Sequence, residues 1–277
     1  MAVVVLYHIP LGGSVAADAL HACLAGLAAL ACWRLWDGKT GCDTTGAHAS
    51  SGESGGIGVH AEAVHASETR TGNTKRAVVP AGALVLLCLA ASAASVAVPL
   101  VASGGVRHAC FTGSVSGCAA TLGIVALSCA GTAVWEEIAF RRLAMEAVAK
   151  ALATPGRRRL QAALICSAAF ALFHLGGTGD TAAAGLRAVQ VTLFGLAMAG
   201  LVERTGKLAP VIATHGLYDM VCFAPAALGM AGSVWEMPAE SLSILETSVA
   251  GIAASLVFLV PAAVLGILAF VGQARTP

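Results

Sequence analysis

Charge is what this sequence has least of. Asp, Glu, Lys and Arg make up 11% of its 277 residues, where a soluble domain carries about a quarter. With 57% apolar residues and a mean hydropathy of +0.82, that shortage excludes an ordinary water-soluble globule and indicates an integral membrane protein. The few charges nearly cancel, leaving a formal +1, so no nucleic acid and no acidic substrate is expected as a partner. Nine cysteines are present, an odd number with no C-x-x-C pair. They read as small apolar residues rather than a disulfide framework or a zinc site. An H-E-x-x-H pair is missing as well, and so is any internal repeat. No basic residue precedes the first apolar run, which argues against a signal peptide.

What remains is mostly long apolar segments, rich in the Ala and Gly that allow close helix contact in lipid. Seven can be read: Val15–Trp36, Ala77–Ala102, Gly117–Phe140, Leu160–Leu175, Thr181–Val202, Leu208–Met230 and Ser248–Val271. The expectation is therefore an all-α, polytopic membrane bundle of about seven transmembrane helices, with eight as the alternative. Residues 1–76 read as one transmembrane helix followed by a flexible polar loop, and residues 77–277 as the core. The loop's His48, His60 and His65 lack an ordered scaffold for metal binding. All basic residues except Arg107 and Arg187 fall near alternate connections. By the positive-inside rule that side is cytoplasmic, which puts the N-terminus outside and the C-terminus in the cytoplasm. Arg187, near the outer end of its segment, is expected to snorkel outward. The Ala- and Gly-rich composition reads as bacterial.

Three polar insertions interrupt the apolar helices. The first is Glu136-Glu137, with Arg141 one helical turn beyond. Intramembrane carboxylates cost a few kcal/mol and are functional candidates by default. Glu137 and Arg141 are four apart and suit an ion pair. Glu136 points about 100° away and is left available. The second insertion is His174, and the third is His215 with Asp219 on the same helical face. A glutamate, two imidazoles and a second carboxyl converging from different helices can activate water and stabilise an oxyanion. The depths do not match on straight helices. His174 lies 15 residues after Arg159, roughly 22 Å along a helix, against roughly 12 Å for His215 from its end. The third helix must then continue past the membrane surface toward Ala153. The fourth must either protrude before entering or tilt strongly, and Gly176–Asp180 would break it within the membrane.

Glu136-Glu137-x-x-x-Arg141, Phe170-x-x-x-His174 and His215-x-x-x-Asp219 together resemble the three motifs of the CAAX protease and bacteriocin-processing (CPBP, or Abi) family of intramembrane glutamic endopeptidases. Order and spacing agree over roughly residues 117–230. The resemblance implies that Glu136 is the base activating water. It implies too that His174 orients or polarises that water, and that His215 and Asp219 line the oxyanion site. Arg141 would fix the local geometry. Two departures are visible: Arg142 stands where the family often has Gly, and Asp219 where it often has Asn. An ionised carboxylate cannot donate to an oxyanion, so Asp219 is read as an anchor for His215 in preference to a neutral acid.

The resulting expectation is an intramembrane endopeptidase acting on a membrane-associated peptide or protein, with a cavity open to the cytoplasm. The lipid bilayer and that peptide are its partners, and it needs no cofactor. Zinc is the weaker possibility, with Glu136, His174 and His215 as ligands of a type zinc accepts. Two readings without proteolysis stand beside this one. The same fold could serve as a non-catalytic immunity or scaffold protein, or the buried Glu and His could belong to a proton-coupled transporter, which the missing repeat disfavours.

Overall fold

The computed structural model describes residues 15–42, 80–102, 115–152, 157–175, 181–229 and 248–271. Among these residues all regular structure is helical, in the order α1 (Val15–Cys42), α2 (Ala81–Ala102), α3 (Val115–Glu137), a π-helical turn (Ile138–Ala144), α4 (Met145–Ala151), α5 (Arg158–Phe173), α6 (Thr181–Thr205), α7 (Ala209–Gly229) and α8 (Val249–Val271). Among the described residues, each of the seven apolar segments read from the sequence contains a helix. Helix α1 runs past Trp36 to Cys42, into the stretch read as loop. The rest of that loop with its three histidines, the Gly176–Asp180 break and Arg107 lie outside the described residues.

Among the described residues, four stretches are long and apolar enough to cross a membrane: Ala81–Pro99, Ser116–Ala151, Thr181–Thr205 and Val249–Val271. Helix α5 is only 16 residues long, and α7 carries His215 and Asp219 in its middle. Leu86, Leu127, Leu172, Val257 and Val264 face outward uncovered. A soluble protein does not expose apolar surface on this scale, whereas hydrocarbon accepts it without cost. The chain is a multi-pass helical membrane protein.

Packing follows a ring. Helix α3 lies on α7, α7 on α2, α2 on α8, α8 on α6, and α6 on α5, which returns to the π turn and α4. Helix α1 packs outside, on α3. Without a hydrophobic drive between helices in lipid, close backbone approach supplies the attraction, and glycine permits it. A Cβ on Gly131 would sit 2.6 Å from the Ala22 carbonyl carbon, so α1 and α3 meet backbone to backbone there. Gly200 of α6 and Gly266 of α8 oppose each other in the same way. Gly131→Val is expected to force α1 off α3 and cost about 1–3 kcal/mol, read as a lower thermal midpoint in detergent. An unchanged midpoint would show that this contact contributes nothing.

The run from Ser116 to Ala151 is 36 residues, about 54 Å at helical rise, against a hydrocarbon core of about 30 Å. Its far part does not stand alone. Met145 and Ala149 of α4 pack on Ala162, Ala163 and Cys166 of α5. The two helices therefore run side by side as one packed unit. Within the long run, the Met145 N–H bonds the Phe140 carbonyl, five residues back, the signature of a π turn; such turns are frequent at functional sites. Helix α6 ends at Gly206, whose φ of +66° and N–H bond to the Val202 carbonyl form a glycine C-cap.

Candidate active site

Residues from α3, the π turn, α5, α6 and α7 converge on one buried imidazole. Glu136 and Glu137 end α3, and the π turn begins directly after them. Both are buried, as are Arg141 and His215. The Glu137 carboxylate is gripped from two sides. Arg141 Nε lies 3.2 Å from its Oε2, as the spacing of four predicted. His215 Nδ1 donates to its Oε1 at 2.7 Å. That bond fixes the ring, because a carboxylate can only accept. It turns His215 Nε2 toward Glu136 Oε2 and Asp219 Oδ2, each 3.5 Å away. The anchor of His215 is thus Glu137, from another helix, and the Asp219 contact is the longer one.

Glu136 is the group left open. Its Oε2 is buried and makes no hydrogen bond among the described residues. A buried polar oxygen left so carries a penalty of about 1–3 kcal/mol, unless water or a ligand meets it. The 3.5 Å gap to His215 Nε2 is one that invites a bridging water.

His174 caps α5. Its Nδ1–H donates to the Phe170 carbonyl at 2.8 Å, which leaves Nε2 for other work. It lines a cavity of about 30 Å³ with His215, Asp219, Tyr218, Gln190 and Arg187. That is room for a water molecule and too little for a peptide. All six residues singled out from the sequence therefore lie in one neighbourhood.

Phe170 holds the neighbourhood together. Its ring carries the Arg141 guanidinium, with Cζ 4.6 Å from the centroid in cation–π contact. It also meets Phe140 edge-on at 5.0 Å and lies 4.4 Å from the His174 ring. Phe194 of α6 closes the other side, 5.1 Å from His215. These aromatics shut bulk water out of the ion pair.

Sequence reasoning missed a second polar group beside the cavity. Gln190 of α6 donates to Ser255 Oγ at 2.8 Å and to Tyr218 Oη at 3.3 Å, and accepts from Arg187 Nη1 at 2.9 Å. Arg187 thus lines the cavity and bonds Gln190. A lone glutamine in an apolar run, and one of only two tyrosines in the chain, were the signals available.

Among the described residues no three His, Cys, Asp or Glu side chains are grouped so as to hold a metal ion. No disulfide forms among the described cysteines, and Cys88, Cys118, Cys129, Cys166 and Cys222 are buried as small apolar residues.

Residues 119–221 match the profile of a protein family described as Type II CAAX prenyl endopeptidase Rce1-like. The matched stretch contains all six site residues, and it bears out the resemblance to the CPBP family read from the three motifs. Comparison with the curated proteins and with the solved structures gave no match.

Proposed function

We propose that this protein is an intramembrane endopeptidase that hydrolyses a peptide bond in a membrane-associated protein or peptide, using water activated by Glu136. The observation that carries the reading is the buried Glu136 carboxylate oxygen. It has no hydrogen-bond partner among the described residues and lies 3.5 Å from an imidazole nitrogen already oriented by Glu137. The family match supports the reaction class.

In this mechanism a water lies between Glu136 and the two imidazoles. Glu136 takes its proton as the water oxygen attacks the scissile carbonyl carbon. His174 Nε2 accepts the water's other hydrogen and aims its lone pair. The carbonyl oxygen becomes an oxyanion, and His215, as imidazolium, donates to it from Nε2. Asp219 faces the same nitrogen and steadies that charge. The C–N bond then breaks, and Glu136 returns the proton to the leaving amine. Arg141 keeps Glu137 ionised and in place, so that Glu137 can hold the ring.

The basic end of the bundle faces the cytoplasm on this reading, with the C-terminus there and the N-terminus outside, and substrate enters from the cytoplasmic side. The helices around His174 must part to admit it, because the space present fits only water. The chemistry uses no metal, so the chelator 1,10-phenanthroline is expected to leave processing unchanged. Loss of processing restored by zinc would replace the glutamate-base mechanism with a metal one. The reaction itself is tested by comparing membrane-protein termini, by mass spectrometry, in cells with and without the protein. New shortened termini that depend on the protein are expected. Their absence would favour a non-catalytic scaffold of the same fold.

A further inference from the structure

A larger cavity, about 750 Å³, opens at the basic end of the bundle, between Trp33 of α1, the π turn and α4, the start of α5 and the α6–α7 connection. Six cations border it: Arg141, Arg142, Lys150, Arg158, Arg159 and Lys207. Fewer acids answer them. Arg142 and Lys150 share Glu146, at 3.8 and 2.8 Å, Arg159 pairs with Glu203 at 2.6 Å, and Arg141 with Glu137. Arg158 and Lys207 have no carboxylate partner among the described residues. The Arg141 side chain is only 2% exposed, and its Nη1 and Nη2 make no hydrogen bond among the described residues.

Apart from Glu146, which Arg142 and Lys150 already pair, the rest of the wall is mostly apolar, with Met145, Val202, Leu208 and Ile212 among its residues. A lining that combines a surplus of cations with apolar side chains suits a molecule with an anionic head and an apolar body. The volume is in the range of small-molecule sites. The position agrees, since the cavity lies where the long α3–π–α4 run, at about 54 Å, outruns a hydrocarbon core of about 30 Å. With the basic end at the cytoplasmic face, as proposed above, the cavity falls at headgroup level, where basic pockets between helices take anionic lipids.

We propose that this cavity binds the phosphate headgroup of an anionic phospholipid, with Arg158 and Lys207 as its main contacts. The full chain, purified in an uncharged detergent, is titrated with dioleoylphosphatidylglycerol, with dioleoylphosphatidylcholine and with inorganic phosphate. The thermal midpoint and the lipid retained in native mass spectrometry are read. The anionic lipid is expected to raise the midpoint saturably and to be retained, and the zwitterionic one to do neither. Both target side chains are exposed, so Arg158→Gln/Lys207→Gln is expected to fold normally and to need at least about tenfold more anionic lipid for the same shift. Arg204→Gln, a basic residue outside the cavity lining, is expected to respond like the unaltered protein. Equal shifts with both lipids would overturn the proposal, as would an unaltered response in the double variant or an equal loss in Arg204→Gln. Inorganic phosphate reproducing the whole shift would overturn the lipid assignment.

Discussion

Glu136→Gln is expected to lower processing by about a hundredfold to ten-thousandfold, the usual contribution of a positioned general base, while leaving the protein folded in the membrane. The side chain keeps its shape and loses only the ability to take a proton. Folding is not expected to suffer, because Glu136 Oε2 has no hydrogen bond to lose among the described residues, and its contact with His215 is a loose 3.5 Å. The checks are the yield of shortened termini and the thermal midpoint, measured on the same preparation. Undiminished processing would remove Glu136 from the chemistry. A collapsed midpoint would make its role structural.

Glu137→Gln is expected to do the opposite in kind. Glu137 is fully buried, bonded to His215 and paired with Arg141. Neutralising it leaves the guanidinium buried without a counter-charge, a change that costs about 3–5 kcal/mol when one member of a buried pair is removed. It also frees the His215 ring, so processing falls together with stability. A double-mutant cycle separates the two effects. Glu137→Gln/Arg141→Gln is expected to be less destabilised than the sum of the single variants, because no lone charge remains, and to stay inactive. Full additivity would mean that Arg141 and Glu137 are not energetically coupled.

The contrast between these neighbours was partly legible in the sequence. The spacing of four between Glu137 and Arg141 predicts the ion pair, and it forms. The three motifs marked residues that the fold brings together, because a polar residue in an apolar run is conspicuous. Contacts between distant segments were harder to foresee. Asp219 looked like the anchor of His215 because it lies one turn away. The shorter bond comes from Glu137, 78 residues away in sequence, and no local pattern encodes that. Nor does anything in Ile138–Ala144, which contains neither Gly nor Pro, announce a π turn. Gln190 was passed over because a single amide inside an apolar helix reads as an incidental polar residue. Its three hydrogen bonds become visible only once α6, α7 and α8 are assembled.

That widened turn has a consequence for how the chain can change. A π turn amounts to an α-helix with a surplus residue, and one residue is about 100° of helical phase. Upstream of it, the rod must aim Glu136 and Glu137 at α7; downstream, Met145 and Ala149 must aim at α5. The bulge lets the two halves keep independent bearings. Swapping side chains along this rod is therefore tolerable in many places, but shortening it by a single residue in 138–144 would swing one half off its target while leaving the hydropathy almost untouched.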